Sequence, residues 1–396
     1  MKKIYLKRGK EESLQRFHPW VFSGAISYFD QDPEEGEVVE VYTNSKEFVA
    51  TGHYQIGSIM VRVLSFEQEP IDQAFYEKRL ATAYDVRKCI GVAGNPDNNT
   101  YRLVHGEGDN LPGLVIDIYG STAVMQAHSV GMHVDRMMIA SALKQVMGNT
   151  IENIFYKSET TLPFKADLGQ ENGFLLGGST EDIAIENGLK FHVDWLKGQK
   201  TGFFVDQREN RGLVQDLARG HRLLNCFGYT GGFSLAALKG GAEYVETVDI
   251  SKKAIELCNA NVNLNFGSDA HHKGVVADVL KYLDTINVGP DTGFDFIILD
   301  PPAFAKNHRA LQQGLKGYRK INQAAMAALP KGGLLMTFSC SQAVSKEDFQ
   351  TMIFTSAMNA HRNVRIVRQL PHAADHPVSI CHPEGEYLKG LLLEIE

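Results

Sequence analysis

The sequence predicts an α/β protein in three parts. A small β-barrel comes first, a small α+β unit follows, and an open, mostly parallel, doubly wound sheet fills the C-terminal half. Three observations predict this. At 396 residues the chain is too long for one ordinary core. Short strand-like runs crowd the first seventy residues. After Gly188, continuous apolar runs alternate with amphipathic stretches at βαβ spacing, the pattern of strands covered on both faces.

Residues 37–42 (EVVEVY), 48–50 (FVA) and 58–64 (SIMVRVL) read as short strands separated by Gly, Asn and Pro turns. Pro70 opens a helix to about Ile90, with Phe75, Ala83, Val86 and Ile90 near helical spacing, and residues 91–99 form a polar loop. Residues 114–119 and 121–126 make a hairpin around Gly120. Residues 132–147 are helical and 151–156 extended. The sheet of the C-terminal half takes strands at 222–227, 244–249, 274–277, 294–299 and 333–338, and a terminal pair, 364–370 with 387–395, gives it an antiparallel edge. The expected domains are therefore 1–70, 71–186 and 187–396.

Hydrophobic residues at 43% and charged residues at 22% argue against a disordered or fibrous chain. The five cysteines are scattered with no Cys-x-x-Cys pair, which argues against a disulfide framework and a structural metal. The basic start runs into Gly9-Lys10-Glu11-Glu12 without an apolar stretch, and no long uncharged apolar run follows, so the expected location is cytoplasmic, away from membranes. The net charge of −7 lends no compositional support to nucleic-acid binding, which needs at least a local basic face.

Ligands of an open α/β sheet sit outside the carboxyl ends of its strands. The loop after the first such strand is Phe227-Gly-Tyr-Thr-Gly-Gly-Phe233, and the next strands are followed by Asp249, Asp278 and Asp300. Glycines there admit a ligand close to the backbone, and an acid at the end of the second strand accepts from ribose hydroxyls. Gly-x-x-Gly-Gly is not the Gly-x-Gly-x-x-Gly that cradles a pyrophosphate. This favours a nucleoside without a diphosphate, hence S-adenosylmethionine over a dinucleotide, on a Rossmann-like domain. The competing reading is that these are tight turns and helix caps.

The motifs "GQKTGFFVDQRENR", "NCFGYTGGFSLAAL", "VDISKKAIELCNAN", "LDPPAFAK" and "FSCS", in that order, resemble the RlmI-type 23S rRNA 5-methylcytosine methyltransferases. At the front, "HPWVFSGAI" is similar to the start of that family's PUA domain, and "RLVHGEGDNLPGLVIDIYG" to its small middle domain. The resemblance implies cofactor contacts by Phe203, Asp206, Gln207, Arg208, Asn225, Phe227, Gly228, Asp249, Ser251 and Asp278. It also implies a PUA domain that grips large-subunit rRNA, and a homodimer. The chain departs from the pattern at Ile118, where many relatives carry Arg, and at Gln342-Ala343, where they carry a His soon after the Ser-Cys-Ser.

Carbon 5 of cytosine is too weak a nucleophile to attack a methyl sulfonium unaided, and a thiolate added at carbon 6 makes it enamine-like. Cys340 follows the fifth strand and should emerge beside Asp300-Pro301-Pro302. It is the expected nucleophile, with Asp300 bonding ring nitrogen 3. Cys258, Cys226 and Cys89 read as structural, and Cys381 is the rival. Enzymes that methylate exocyclic amines place an aromatic directly after Pro-Pro, whereas Ala303 intervenes here before Phe304. For RNA, Arg16, His18 and Trp20, with Arg62, offer stacking and phosphate contacts, although Pro19, Trp20 and Phe22 also suit a barrel core. Lys306, His308, Arg309, Lys316, Arg319 and Lys320 form a denser basic stretch, which also suits a solvated helix face. The alternatives to cytosine methylation are another methyl acceptor or an RNA-binding protein without catalysis, with a dehydrogenase further off.

Overall fold

In the computed structural model, which describes residues 1–163, 168, 171–180, 183–268, 270–286 and 293–396, the chain gathers into two units. One holds Met1–Glu186, Val193–Asp206 and Ala374–Gly385, and the other Asn187–His192, Gln207–Ala373 and Glu386–Glu396.

The first unit opens with a six-stranded sheet. Its order is Trp20–Phe22, Ile59–Ser65, Phe48–Tyr54, Val38–Tyr42, Lys2–Leu6, Ile26–Phe29. Lys2–Leu6 and Val38–Tyr42 run parallel, and the other neighbours antiparallel. Three of these strands match the sequence expectation to within a few residues, while Lys2–Leu6, Trp20–Phe22 and Ile26–Phe29 were hidden. Lys2–Leu6 reads as a basic tail, yet its Ile4 and Leu6 are fully buried, the period of two of a half-buried strand. In Trp20–Phe22 only Val21 enters the core. Trp20 is half-buried and Phe22 exposed, so these two rings do not form the barrel core. Phe48–Tyr54 runs past its apolar start because Gly52 lets a neighbour approach: a Cβ there would meet the Arg62 carbonyl oxygen at 2.2 Å.

A five-stranded sheet follows, ordered Gly173–Leu176, Asn153–Tyr156, Thr122–Ala127, Leu114–Tyr119, Thr100–His105. Helices Gln73–Cys89 and Arg136–Met147 pack on each other and add Tyr76, Leu80 and Leu143 to its core. The single helix expected over 132–147 is broken at Asp135. The carboxylate of Asp135 takes bonds from the Tyr76 hydroxyl at 2.5 Å and the His53 ring at 3.0 Å.

The linear pattern assigns Val193–Asp206 and Ala374–Gly385 to the C-terminal domain, but both pack in the first unit. Arg87, fully buried, grips Asp109 with two bonds (2.5 and 2.7 Å) and donates to the Arg102 and Asp375 carbonyls at 2.8 and 2.9 Å. Arg102 holds Asp117 by two further bonds, and Asp117 accepts from Thr201 at 2.6 Å. Buried charges persist only when paired this fully.

The second unit is a seven-stranded sheet running His272–Val276, Tyr244–Asp249, Arg222–Cys226, Phe296–Leu299, Gly333–Ser339, Lys389–Ile395, Val364–Gln369. The first five are parallel and the last two join antiparallel, the edge the sequence predicts. The apolar runs are continuous because each strand feeds two cores. Phe296 and Ile298 face one, with Val214, Phe233 and Ala236 from helices Arg208–Leu217 and Gly232–Lys239. Ile297 and Leu299 face the other, with Tyr318, Ile321 and Phe349 from helices Leu311–Ala328 and Lys346–Asn359.

Candidate active site at the carboxyl ends of the sheet

Strand order places the first strand, Arg222–Cys226, between the second and the fourth, so a crevice opens beyond its end. The loop leaving it is tightly wound. Phe227 and Tyr229 adopt positive φ of 59° and 46°, and Gly231 has φ 87°, conformations that side-chain-bearing residues rarely take. Gly228 is required for another reason, since a Cβ would lie 2.3 Å from Thr247 Cγ2 and 3.0 Å from Asn225 Nδ2.

Beneath the loop runs a hydrogen-bonded chain. Asn225 Nδ2 donates to Ser234 Oγ (2.9 Å), which bonds Thr247 Oγ1 (2.6 Å), which in turn bonds His272 Nε2 (2.8 Å). Burial pulls His272 down to about 4, so at neutral pH its ring is uncharged. Asn225 Oδ1 is buried with no partner among the described residues. An unused acceptor beside a cradle too tight for a methyl group suits a donor from a bound nucleoside or amino-acid moiety.

Asp249 closes the loop from the second strand. One carboxylate oxygen accepts from Tyr229 N at 3.0 Å and the other from Ser251 N at 2.8 Å. Ser251 caps helix Lys252–Phe266, and Asp278 caps Val279–Leu283 by accepting from Lys281 N at 3.0 Å. The turn and cap roles the sequence allowed are thus present at Asp249, Ser251 and Asp278. Gln207 and Arg208 are buried at the head of helix Arg208–Leu217, where Gln207 Oε1 accepts from Asn210 at 2.6 Å. Phe203 and Asp206 are also buried but belong to the first unit.

The half-buried Asp300 leads the turn after the fourth strand, and Cys340 follows the fifth. The Cys340 thiol lies 3.9 Å from the Pro301 carbonyl oxygen, so the two strand ends meet. A tie the sequence did not reveal holds them. Tyr318 Oη bonds Ser341 Oγ at 2.8 Å, Ser341 Oγ accepts from Ala305 N at 3.2 Å, and the Phe304 ring lies 4.7 Å from Tyr318 and 6.3 Å from Phe227. In the Ser-Cys-Ser triplet the thiol is the conspicuous group, yet the second serine joins the two loops. The other thiols of this unit are poor nucleophiles. Burial pushes Cys258 up to about 12 and Cys226 higher still. Cys89 is exposed on the Gln73–Cys89 helix and Cys381 half-exposed in the first unit.

Lys306, His308 and Arg309 are exposed just beyond the Asp300 turn, and Lys316 and Lys320 are exposed on the helix that follows. In the first unit Arg16 is exposed beside Glu12. Trp20 and His18 are partly engaged: the indole N–H donates to Glu107 at 2.8 Å, and the His382 ring packs 4.3 Å from Trp20 and 5.6 Å from His18. Arg62 bonds Gln55 at 3.2 Å. Among the described residues no group of three metal-ligating side chains occurs, and no helix is long and apolar enough to cross a membrane.

Residues 173–379 match the model of an S-adenosylmethionine-dependent methyltransferase family, and residues 4–66 that of a PUA-like domain. The ribosomal RNA large subunit methyltransferase I of Vibrio cholerae is 39% identical over 99% of both chains, and that of Aeromonas salmonicida 38% over 98% of both. The chain belongs to this methyltransferase family. A solved methyltransferase complexed with SAH aligns over 100% of both chains at 25% identity and TM-score 0.85. A SAM-dependent methyltransferase from Streptococcus mutans, 24% identical, shares the fold at TM-score 0.83 over 100% of both chains. The resemblance of the front to a PUA domain holds, and so does that of the C-terminal half to a cofactor-binding methyltransferase. The dehydrogenase alternative falls away.

Proposed function

We propose that this methyltransferase modifies carbon 5 of a cytosine in large-subunit rRNA, in the cytoplasm, through a covalent Cys340 adduct. One observation carries the reading: the only half-exposed thiol described in the sheet unit lies against the Asp300-Pro-Pro turn, 3.9 Å from the Pro301 carbonyl oxygen.

S-adenosylmethionine, when bound, supplies an electrophilic methyl group. Asn225, Phe227 and Gly228 with Asp249, Ser251, Asp278, Gln207 and Arg208 would hold it. The Cys340 thiolate adds to carbon 6 of the ring, and carbon 5 takes the methyl group with the sulfonium leaving as the neutral thioether. A base then removes the carbon-5 proton and the carbon–sulfur bond breaks, restoring the ring and the thiolate. Asp300, in its protonated form, hydrogen-bonds ring nitrogen 3 and supports the charge that develops there. Lys306 and Arg309 meet phosphates around the target base, and the PUA-like unit adds contacts through Arg16, His18 and Trp20. The exocyclic-amine alternative is disfavoured because Phe304, the aromatic that would stack on the base, packs on Tyr318 and Phe227.

The test is methylation of rRNA by the wild type and by Cys340→Ala, with bisulfite or mass-spectrometric mapping of the product base. The expected result is one new 5-methylcytosine with the wild type and none with the variant. Full turnover by Cys340→Ala, or a methylated amine, overturns the reading.

A further inference from the structure

The antiparallel register of the sheet pairs Ser339 with Lys389. Lys389 is only 6% exposed, and lysines are rarely buried this far without a strong reason. Its ammonium donates to two backbone carbonyls, those of Ser341 and Tyr387, each at 2.6 Å. Just past the strand end, Cys340 is therefore flanked in sequence by the residue across from Lys389 and by the residue whose carbonyl that lysine holds.

Burial pulls the Lys389 amine down to about 8, and its interaction with the Cys340 thiol acts in the opposite direction. The other charged groups facing the lysine largely cancel, since Glu386 favours the ammonium and Lys346 opposes it, and those two pair with each other at 2.6 Å. Around the thiol itself stand the Pro301 carbonyl and the Tyr318 phenol, which burial keeps neutral, with Asp300 heading the same turn.

We propose that Lys389 is a positioning residue for methyl transfer, its ammonium holding Cys340 in the thiolate form. This rests on Cys340 being the nucleophile. The thiolate is the reactive species, and a cation held in a poorly solvated site at the carbonyl of the next residue favours it. An ordinary thiol, titrating near 8.5, is only a few per cent thiolate at neutral pH. The lysine arrives from 49 residues along the chain, on the strand that reverses direction, and its carbonyl acceptors keep it charged without neutralising it as a carboxylate would.

The test is iodoacetamide alkylation of Cys340 against pH, read on the Cys340 peptide by mass spectrometry, in a Cys89→Ser, Cys381→Ser background. The wild-type thiol is expected to titrate at least about one unit below 8.5. Lys389→Met and Lys389→Gln should return it to the ordinary range, cutting alkylation at pH 7 on the order of tenfold. A wild-type thiol titrating at 8.5 or above overturns the proposal, as does an unchanged titration in either folded variant. Lys389→Met strips two carbonyls of their donor, so Lys389→Gln keeps a neutral donor there, and the wild-type titration decides even if both variants misfold. A low-titrating thiol in a protein whose Cys340→Ala variant still turns over would keep the ion pair but remove its catalytic role, which separates this failure from that of the nucleophile assignment.

Discussion

Replacing Gly228 by Ala tests whether the cofactor loop is held by shape. The φ at Gly228 is one that alanine can adopt, so the perturbation is steric. The new Cβ would lie 2.3 Å from Thr247 Cγ2. Thr247 cannot swing that methyl aside cheaply, because its hydroxyl bonds both Ser234 at 2.6 Å and His272 at 2.8 Å. The loop itself must move, and reaching ordinary contact from 2.3 Å takes about 1 Å. Overpacking of this kind costs about 1–3 kcal/mol. If the strain falls on the bound conformation of the loop, affinity for S-adenosylmethionine drops on the order of 5- to 150-fold. Calorimetric titration measures the loss, and a thermal melt checks that the fold survives. Thr247→Ser removes Cγ2 but keeps the hydroxyl chain, so Gly228→Ala in that background should bind within about threefold of Thr247→Ser alone. Unchanged affinity in Gly228→Ala, or no recovery with Thr247→Ser, would refute the steric reasoning.

His272 is held near 4 by burial, below the value near 6.5 it takes when unfolded. Above pH 6.5 it is neutral in both states. Between 6.5 and 4 the unfolded chain gains a proton that the folded protein does not, so stability contributed by the neutral ring is lost as pH falls through that window. His272→Gln should flatten the decline in thermal stability from pH 6.5 to 4, leaving the part due to His128, His133, His376 and His382, which burial also lowers. Parallel pH profiles for wild type and variant would count against this. Lys306→Ala with Arg309→Ala should weaken rRNA binding and flatten its salt dependence. Each lost phosphate contact reduces the log–log slope by about 0.7–0.9, so the pair should lower it by about 1.5. A slope identical to the wild type would show that neither residue meets a phosphate.

Much of the site was legible because its parts are local. Asp249 ends a strand and Asp278 and Asp300 follow theirs, and their positions come directly from the period of apolar runs. Gly228 and Gly231 sit in a loop whose composition announces unusual backbone. What escaped notice acts across the sheet. Ser234, Thr247 and His272 come from three successive segments and look ordinary in each. Tyr318 reads as one more apolar position on its helix, although its hydroxyl ties the Cys340 and Asp300 turns. At the front, Trp20 looked like a core residue by hydrophobicity, but two-residue alternation turned Val21 inward instead.

By itself the sequence determined the open α/β class and the chain order of the strands in the C-terminal sheet, because strand and helix periods and glycine placement act over a few residues. It also placed Cys340 and Asp300 at two strand ends. Tertiary structure alone decided that these ends meet, that Val193–Asp206 and Ala374–Gly385 pack in the first unit through Arg87, Asp375 and Thr201, and that Lys389 lies against the Cys340 segment. The reason is physical. Strand order in a parallel sheet, and the pairing of buried charges, depend on contacts between residues tens to hundreds of positions apart, whose gain appears only once the intervening chain has folded. The crevice was foreseeable from the pattern, whereas the buried lysine bonded to the carbonyl of Ser341 was not.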